Sequence, residues 1–169
     1  MQKIIVADAA RCTGCRTCEM VCSVKKMGMV NPARARVHVV RFEEYVLEMP
    51  MLCQQCETAP CMNSCPTRAI ERDERLGVLK TNYDRCIGCR TCMMVCPFGA
   101  TGYDPVARRV YKCDQCDGDP TCVKFCETKA LQYVDASSAN LQASRKSAHK
   151  VFELLQKLGP EFRQAEVVK

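Results

Sequence analysis

Hydrophobic and polar residues alternate in several short stretches of this chain, a pattern that indicates β-strands with one buried face. The first stretch covers residues 3–8, and the stretch over residues 36–49 is long enough for a strand pair or a long hairpin. Two further hairpins are predicted over residues 69–81 and 100–112, because turn-forming residues interrupt both stretches. Short helices are predicted directly after Cys22, Cys65, Cys96 and Cys126. Together these elements predict an α+β fold.

The C-terminal segment differs from the rest of the chain, so we divide the sequence into a domain over residues 1–134 and an extension over residues 135–169. After a polar link, residues 141–158 carry apolar side chains spaced mainly by three or seven, as on one face of a helix. Gly159-Pro160 would end this helix. The sequence leaves open whether the helix packs on its own domain or docks onto another subunit.

The apolar content is low for a domain of this length. Leu, Ile, Val and Phe together number 35 of 169 residues, and there is no Trp. This proportion is close to the level below which a chain struggles to form a core. Something besides apolar burial must therefore help to stabilise the fold, and the sixteen cysteines are the candidates.

The cysteines fall into four sets of four. Sets 1 and 3 have the spacing C-x2-C-x2-C-x3-C, whereas the middle gap is four residues long in set 2 and five residues long in set 4. In chain order, the sets are Cys12, Cys15, Cys18 and Cys22; Cys53, Cys56, Cys61 and Cys65; Cys86, Cys89, Cys92 and Cys96; and Cys113, Cys116, Cys122 and Cys126.

The sets are related to one another by an internal repeat. Residues 11–22 match residues 85–96 at ten of twelve positions. Sets 2 and 4 share the pattern C-x-Q-C, with Gln55 and Gln115 at equivalent positions. The order of the sets therefore indicates a duplicated unit of two sets.

This spacing is typical of [4Fe–4S] ligation. Three cysteines at C-x2-C-x2-C wrap a short loop around one cluster, and in bacterial ferredoxins the fourth cysteine ligates the other cluster of a pair. Gly14 and Gly88, inside C-x-G-C, would let the backbone approach the cluster because they lack a Cβ. Pro66 and Pro97, which follow a fourth cysteine, suit the start of a helix.

Two other uses of cysteine fit this pattern poorly. Zinc sites normally use two separated C-x2-C pairs, whereas here four cysteines are packed into each short segment. Neighbouring cysteines in such tight loops are also badly placed to form disulfides. We therefore predict four [4Fe–4S] clusters.

The net charge of the protein changes sign once these cofactors are counted. The formal net charge is +6, but an oxidised four-thiolate [4Fe–4S] centre carries about −2, so four centres make the loaded protein slightly negative. No block of Lys and Arg with interleaved aromatic residues occurs, so nucleic-acid binding is not expected. The sequence also shows neither a signal-peptide pattern nor the roughly 18 apolar residues of a membrane span. We expect a cytoplasmic protein.

The four sets resemble those of the four-cluster iron–sulfur subunits of the DMSO-reductase type, which serve molybdenum and tungsten oxidoreductases, some hydrogenases and carbon monoxide dehydrogenase. The resemblance covers roughly residues 1–135 and rests on every cysteine. It implies two ferredoxin-like halves, in which set 1 pairs with set 4 and set 2 pairs with set 3. Among family members, the layout is most similar to the small electron-transfer subunits of bacterial tungsten aldehyde oxidoreductases.

Carried over to this chain, the resemblance implies four sites, which we label A to D. Site A would use Cys12, Cys15, Cys18 and Cys126. Site B would use Cys22, Cys113, Cys116 and Cys122. Site C would use Cys53, Cys56, Cys61 and Cys96. Site D would use Cys65, Cys86, Cys89 and Cys92.

The function implied by the resemblance is electron transfer without catalysis. The expected partner is a catalytic subunit, with a tungsten or molybdenum aldehyde oxidoreductase as the first choice, and electrons would leave towards ferredoxin or a flavin-containing NAD subunit. The alternatives are a carrier for carbon monoxide dehydrogenase, hydrogenase or formate dehydrogenase, and a free-standing polyferredoxin. Sites at both ends of the chain of clusters would also permit higher-order assembly.

Overall fold

A computed structural model describes residues 2–139 of the chain. The helix predicted over residues 141–158 lies outside these residues. Residues 136–139, predicted as part of a polar link, are helical. Within residues 2–139, no helix is both long and apolar enough to cross a membrane.

Three antiparallel hairpins lie where the alternating pattern predicts them. Their strands are β2 (Val37–Phe42) with β3 (Leu47–Leu52), β4 (Ile70–Arg72) with β5 (Leu79–Thr81), and β6 (Thr101–Asp104) with β7 (Arg109–Lys112). In the first hairpin Val37 lies opposite Leu52, and both are buried together with Val39. Because side chains two apart share a face of a strand, the alternating Val residues build one apolar face.

A fourth sheet joins the two ends of the described chain. β1 (Lys3–Ala7), which was predicted, pairs antiparallel with β8 (Leu131–Asp135), which was not predicted. Ile5 of β1 and Leu131 of β8 are both buried. This pairing brings set 1, which follows β1, next to set 4, which precedes β8.

Four helices lie at the cysteine sets, and their positions differ from the prediction. They are α1 (Thr17–Met27), α2 (Pro60–Asn63), α3 (Thr91–Met94) and α4 (Thr121–Lys124). Three of them end just before the fourth cysteine of a set instead of following it, and α1 contains both the third and the fourth cysteine of set 1. The prediction that helices start after Cys22, Cys65, Cys96 and Cys126 is therefore wrong.

A tight turn follows the fourth cysteine in sets 2, 3 and 4 and explains the error. The amide of Arg68 donates to the carbonyl of Cys65 over 3.2 Å, and equivalent bonds close the turns after Cys96 and Cys126. Pro66 stands at the second position of its turn, which favours proline because the position requires its fixed φ. Pro66 and Pro97 thus mark turns, not helix starts.

The side chains pack into two separate cores, one for each half. The first core contains Ile5, Val37 and Leu52 with cysteines of sets 1 and 4, including Cys18 and Cys122. The second core contains Ile70, Leu79 and Val110 with Cys61 of set 2 and Cys92 of set 3. The structure is thus α+β with two ferredoxin-like halves, as predicted.

Candidate iron–sulfur sites

Three of the four predicted quartets of cysteines surround a cavity. The site A quartet lines a cavity that also touches Val39 and Phe125. The site B quartet lines a cavity between α1, the end of β3 and the loop before α4. The site D quartet lines a cavity beside Ile70 and Val110. Each cavity joins cysteines from two sets that are distant in sequence.

Three of the four cysteines of site C lie near one another. Burial raises the pKa of the Cys61 thiol, and negative charge on Cys53 and Cys96 raises it further, whereas the ammonium of Lys112 opposes both effects. Cys61 therefore lies near two other members of its quartet. The backbone carbonyl of Cys56, the remaining member, accepts a hydrogen bond of 2.7 Å from Arg72.

The third cysteine of each set is buried inside its half. Exposure is 9% for Cys18, 8% for Cys61, 5% for Cys92 and 6% for Cys122. Burial raises the pKa of Cys18 to about 12 and that of Cys92 to about 11. Since iron binds the thiolate, loading these positions must release protons.

The fourth cysteine of each set accepts a backbone hydrogen bond at its sulfur. The donors are the amides of Arg36 to Cys22 (3.3 Å), Ala69 to Cys65 (3.2 Å), Ala100 to Cys96 (3.4 Å) and Leu131 to Cys126 (3.4 Å). Such bonds favour the charged thiolate and tune the potential of a cluster. These donors were not predicted from the sequence, although the turns marked by Pro66 and Pro97 are a signal for two of them.

The two glycines in C-x-G-C have a role in packing that was not predicted. Gly14 and Gly88 have φ values of +69° and +67°, a region that disfavours residues with a Cβ. A Cβ at Gly14 would lie 2.7 Å from the side chain of Glu48, and one at Gly88 would overlap the carbonyl oxygen of Arg108. Each glycine thus allows a cysteine loop to pack tightly against a hairpin of its own half.

Pairs of cysteines connect neighbouring sites in a single series. Cys18 of site A and Cys122 of site B are buried in the first core. Cys53 of site C packs against that core, which also contains Cys113 of site B. Cys61 of site C and Cys92 of site D are buried together in the second core. The four quartets therefore follow one another in the order A, B, C, D.

The two ends of this series reach the surface. Cys15 of site A and Cys89 of site D are exposed, whereas the buried cysteines lie deeper in the molecule. Ile87, beside Cys89, is 67% exposed. Each end of the series thus has one exposed cysteine, whereas no cysteine of sites B and C is exposed.

Cavities lined by four cysteines and supplied with N–H donors to sulfur suit [4Fe–4S] clusters in their chemistry. Within residues 2–139, no group of three or more His, Cys, Asp or Glu side chains is gathered around one point as a single metal ion would need. The fold and the sites together define an iron–sulfur electron carrier with several clusters.

Comparison with known proteins places the chain in a family. A family model described as "4Fe-4S dicluster domain" matches residues 45–136, and one described as "4Fe-4S binding domain" matches residues 9–25. The chain belongs to the ferredoxin-like family of 4Fe-4S dicluster electron-transport proteins. The two family matches, together with the sixteen cysteines in ferredoxin-like motifs, confirm the prediction of four [4Fe–4S] clusters.

Three relatives illustrate the family. The chain is 35% identical to the electron transport protein HydN of Escherichia coli K12, across 86% of this chain and 95% of HydN. It is 39% identical to the polyferredoxin-like subunit of aliphatic sulfonate oxidoreductase of Pyrococcus furiosus, across 72% of this chain and 70% of that subunit. It is 32% identical to formate hydrogenlyase subunit 2 of E. coli K12, across 86% and 88% of the two chains. The protein is thus a non-catalytic electron-transfer protein, as predicted.

Proposed function

We propose that this chain is the electron-transfer subunit of an oxidoreductase complex, and that sites A to D hold its four clusters through the quartets of cysteines given above. A bound [4Fe–4S] cluster supplies storage and transfer of one electron at a time. The observation that carries the proposal is the single series of quartets that joins two exposed ends. The cavities at sites A, B and D and the N–H donors to the fourth cysteines support the same assignment.

The residues of the chain would perform three tasks in this function. The cysteines ligate, and the four backbone amides that donate to sulfur stabilise negative charge at each site. The two apolar cores exclude water around the inner cysteines, because Ile5, Leu52 and Leu79 are each no more than 2% exposed. Exposed Cys15 and Cys89 leave one quartet at each end within reach of a partner.

The catalytic partner that we propose first is a tungsten or molybdenum aldehyde oxidoreductase. The short layout of the cysteine sets supports this choice through the resemblance described above. The P. furiosus relative, which is named as a polyferredoxin-like subunit of an oxidoreductase, supports the role of subunit. Ferredoxin or a flavin-containing NAD subunit would take electrons from the other end.

A second candidate is a partner in formate or hydrogen metabolism. The specific observation in its favour is the 32% identity with formate hydrogenlyase subunit 2 across most of both chains. A free-standing carrier is the third candidate, because HydN is named only as an electron transport protein.

Anaerobic purification of the tagged chain from its native host separates these candidates. We expect the chain to elute from gel filtration with a larger subunit that contains tungsten or molybdenum. A partner that contains nickel, or molybdenum together with formate oxidation, would favour the second candidate. A monomer that carries iron but no partner would contradict the role of subunit and favour the free carrier.

A further inference from the structure

A buried lysine stands at the junction of the two halves. Lys112 is the last residue of β7 and is only 4% exposed. Its Nζ donates a hydrogen bond of 3.2 Å to the carbonyl oxygen of Leu79, which belongs to the second core. Burial of an ammonium group is costly unless negative charge lies nearby.

The internal repeat provides a comparison for this residue within the same molecule. Lys112 directly precedes Cys113 of set 4, and the equivalent residue directly before Cys53 of set 2 is Leu52. Both end the second strand of a hairpin, and both are buried. Leu52 lines the cavity of site B. At equivalent positions of the repeat, an apolar side chain therefore lies at site B and a charged side chain lies near site C.

The surroundings of Lys112 fix its position. Gln55 donates to the carbonyl of Cys113 over 2.8 Å and accepts from the amide of Leu79 over 2.9 Å, so Gln55 and Lys112 together bind both backbone groups of Leu79. Among the ion pairs of residues 2–139, none joins Lys112 to a carboxylate. Leu79 and Cys61 of site C are buried in the same core, so the hydrogen bond to Leu79 holds the ammonium of Lys112 near site C.

We propose that Lys112 raises the reduction potential of the cluster at site C and thereby makes the two central sites unequal. Adding one electron to a four-thiolate [4Fe–4S] centre makes it more negative by one charge, so a buried ammonium beside it favours the reduced state. The effect is strong because the interior screens charge poorly compared with water. This inference rests on the proposed ligand set of site C, and it makes site C a better electron acceptor than site B across the junction.

The test is a potentiometric titration of the isolated, iron-loaded chain, followed by EPR. Lys112→Met removes the charge while keeping an unbranched side chain, and Lys112→Arg keeps the charge. Lys124→Met is the matched control, because Lys124 is exposed and pairs with Asp119 at the surface. In Lys112→Met we expect one of the four reduction steps to become at least tenfold less favourable, which is about 59 mV for one electron.

The potentials of the other three steps should stay within about 20 mV of those of the unmodified protein, which is roughly a twofold change in the equilibrium constant. Lys112→Arg and Lys124→Met should leave the potentials of all four reduction steps unchanged. The proposal is overturned if Lys112→Met titrates like the unmodified chain, or if all four steps move together. If Lys112→Met does not load four clusters, Lys112→Gln is titrated instead, and unchanged potentials there overturn the proposal equally. The titration needs no partner, so its failure leaves the proposed role of subunit standing.

Discussion

Gly88 offers a quantitative test of how the cysteine loops depend on the hairpins. In Gly88→Ala, the new Cβ would overlap the carbonyl oxygen of Arg108, a backbone atom that cannot rotate away. The positive φ of +67° lowers the folding stability by about 1–2 kcal/mol for any residue with a Cβ. Forcing the loop away from the hairpin lowers the stability further, by about 1–3 kcal/mol, the usual cost of overpacking.

Two other glycines serve as graded controls. Gly28 has nearly the same φ, +73°, but no atom lies within 4 Å of a Cβ placed there, so Gly28→Ala should show the conformational cost alone. Gly14→Ala should be intermediate, because the obstructing atoms belong to the flexible side chain of Glu48. The expected order of destabilisation is therefore Gly28→Ala, then Gly14→Ala, then Gly88→Ala.

The assay is the rate at which the iron–sulfur absorbance is lost on mild heating under anaerobic conditions. The overpacking strain of about 1–3 kcal/mol is present in Gly88→Ala and absent from Gly28→Ala. If this strain is released before the slow step, Gly88→Ala should lose its iron–sulfur absorbance roughly 5- to 150-fold faster than Gly28→Ala. Iron analysis should show that Gly88→Ala loses the site D iron first. Equal rates for the two variants would refute the idea that the loop needs this close approach.

Two further predictions concern the metal-free chain and site C. Removing iron under reducing conditions should leave the chain largely disordered, because its short helices and small cores are marginal alone; a native-like far-UV CD spectrum would contradict this. Arg72→Met should speed the loss of one cluster, because Arg72 joins the carbonyls of Cys56 and Gly77, at 2.7 and 2.6 Å. The control Arg75→Met changes an exposed side chain, and equal lability in both variants would refute the role of Arg72.

The sequence predicted much of this fold because its strands have a strong period of two. The alternation in residues 36–49 and the turn residues near Gly77 are local signals, and the corresponding hairpins formed as expected. β8 was missed because five residues give little periodic signal, and their pairing with β1 spans almost the whole described chain. Such pairing is decided by tertiary contacts rather than by local preference.

The helix positions were wrong for a local reason. Pro66 and Pro97 can start a helix or occupy the second position of a turn, and proline fits both. The turn prevails because it aims the amides of Ala69 and Ala100 at the sulfurs of Cys65 and Cys96. The spacing alone predicted all sixteen cysteines as candidate ligands. The N–H donors and the burial of Lys112 depend on tertiary packing, which no sequence motif indicates.

The ligation of each site by cysteines from two distant sets is the central claim. It is tested most directly by counting intact clusters in two double variants that share one change, Cys126→Ala. The first adds Cys12→Ala, which belongs to site A like Cys126, and the second adds Cys122→Ala, which is the neighbour of Cys126 in set 4. Spin integration of the fully reduced proteins by EPR gives the number of intact clusters in each.

We predict that the variant with Cys12→Ala and Cys126→Ala keeps three intact clusters, because both changes fall on one site. The variant with Cys122→Ala and Cys126→Ala should keep only two, because its changes fall on sites A and B. The opposite result, with three clusters kept when the two neighbours in set 4 are replaced, would mean that each set holds its own cluster and would contradict the account.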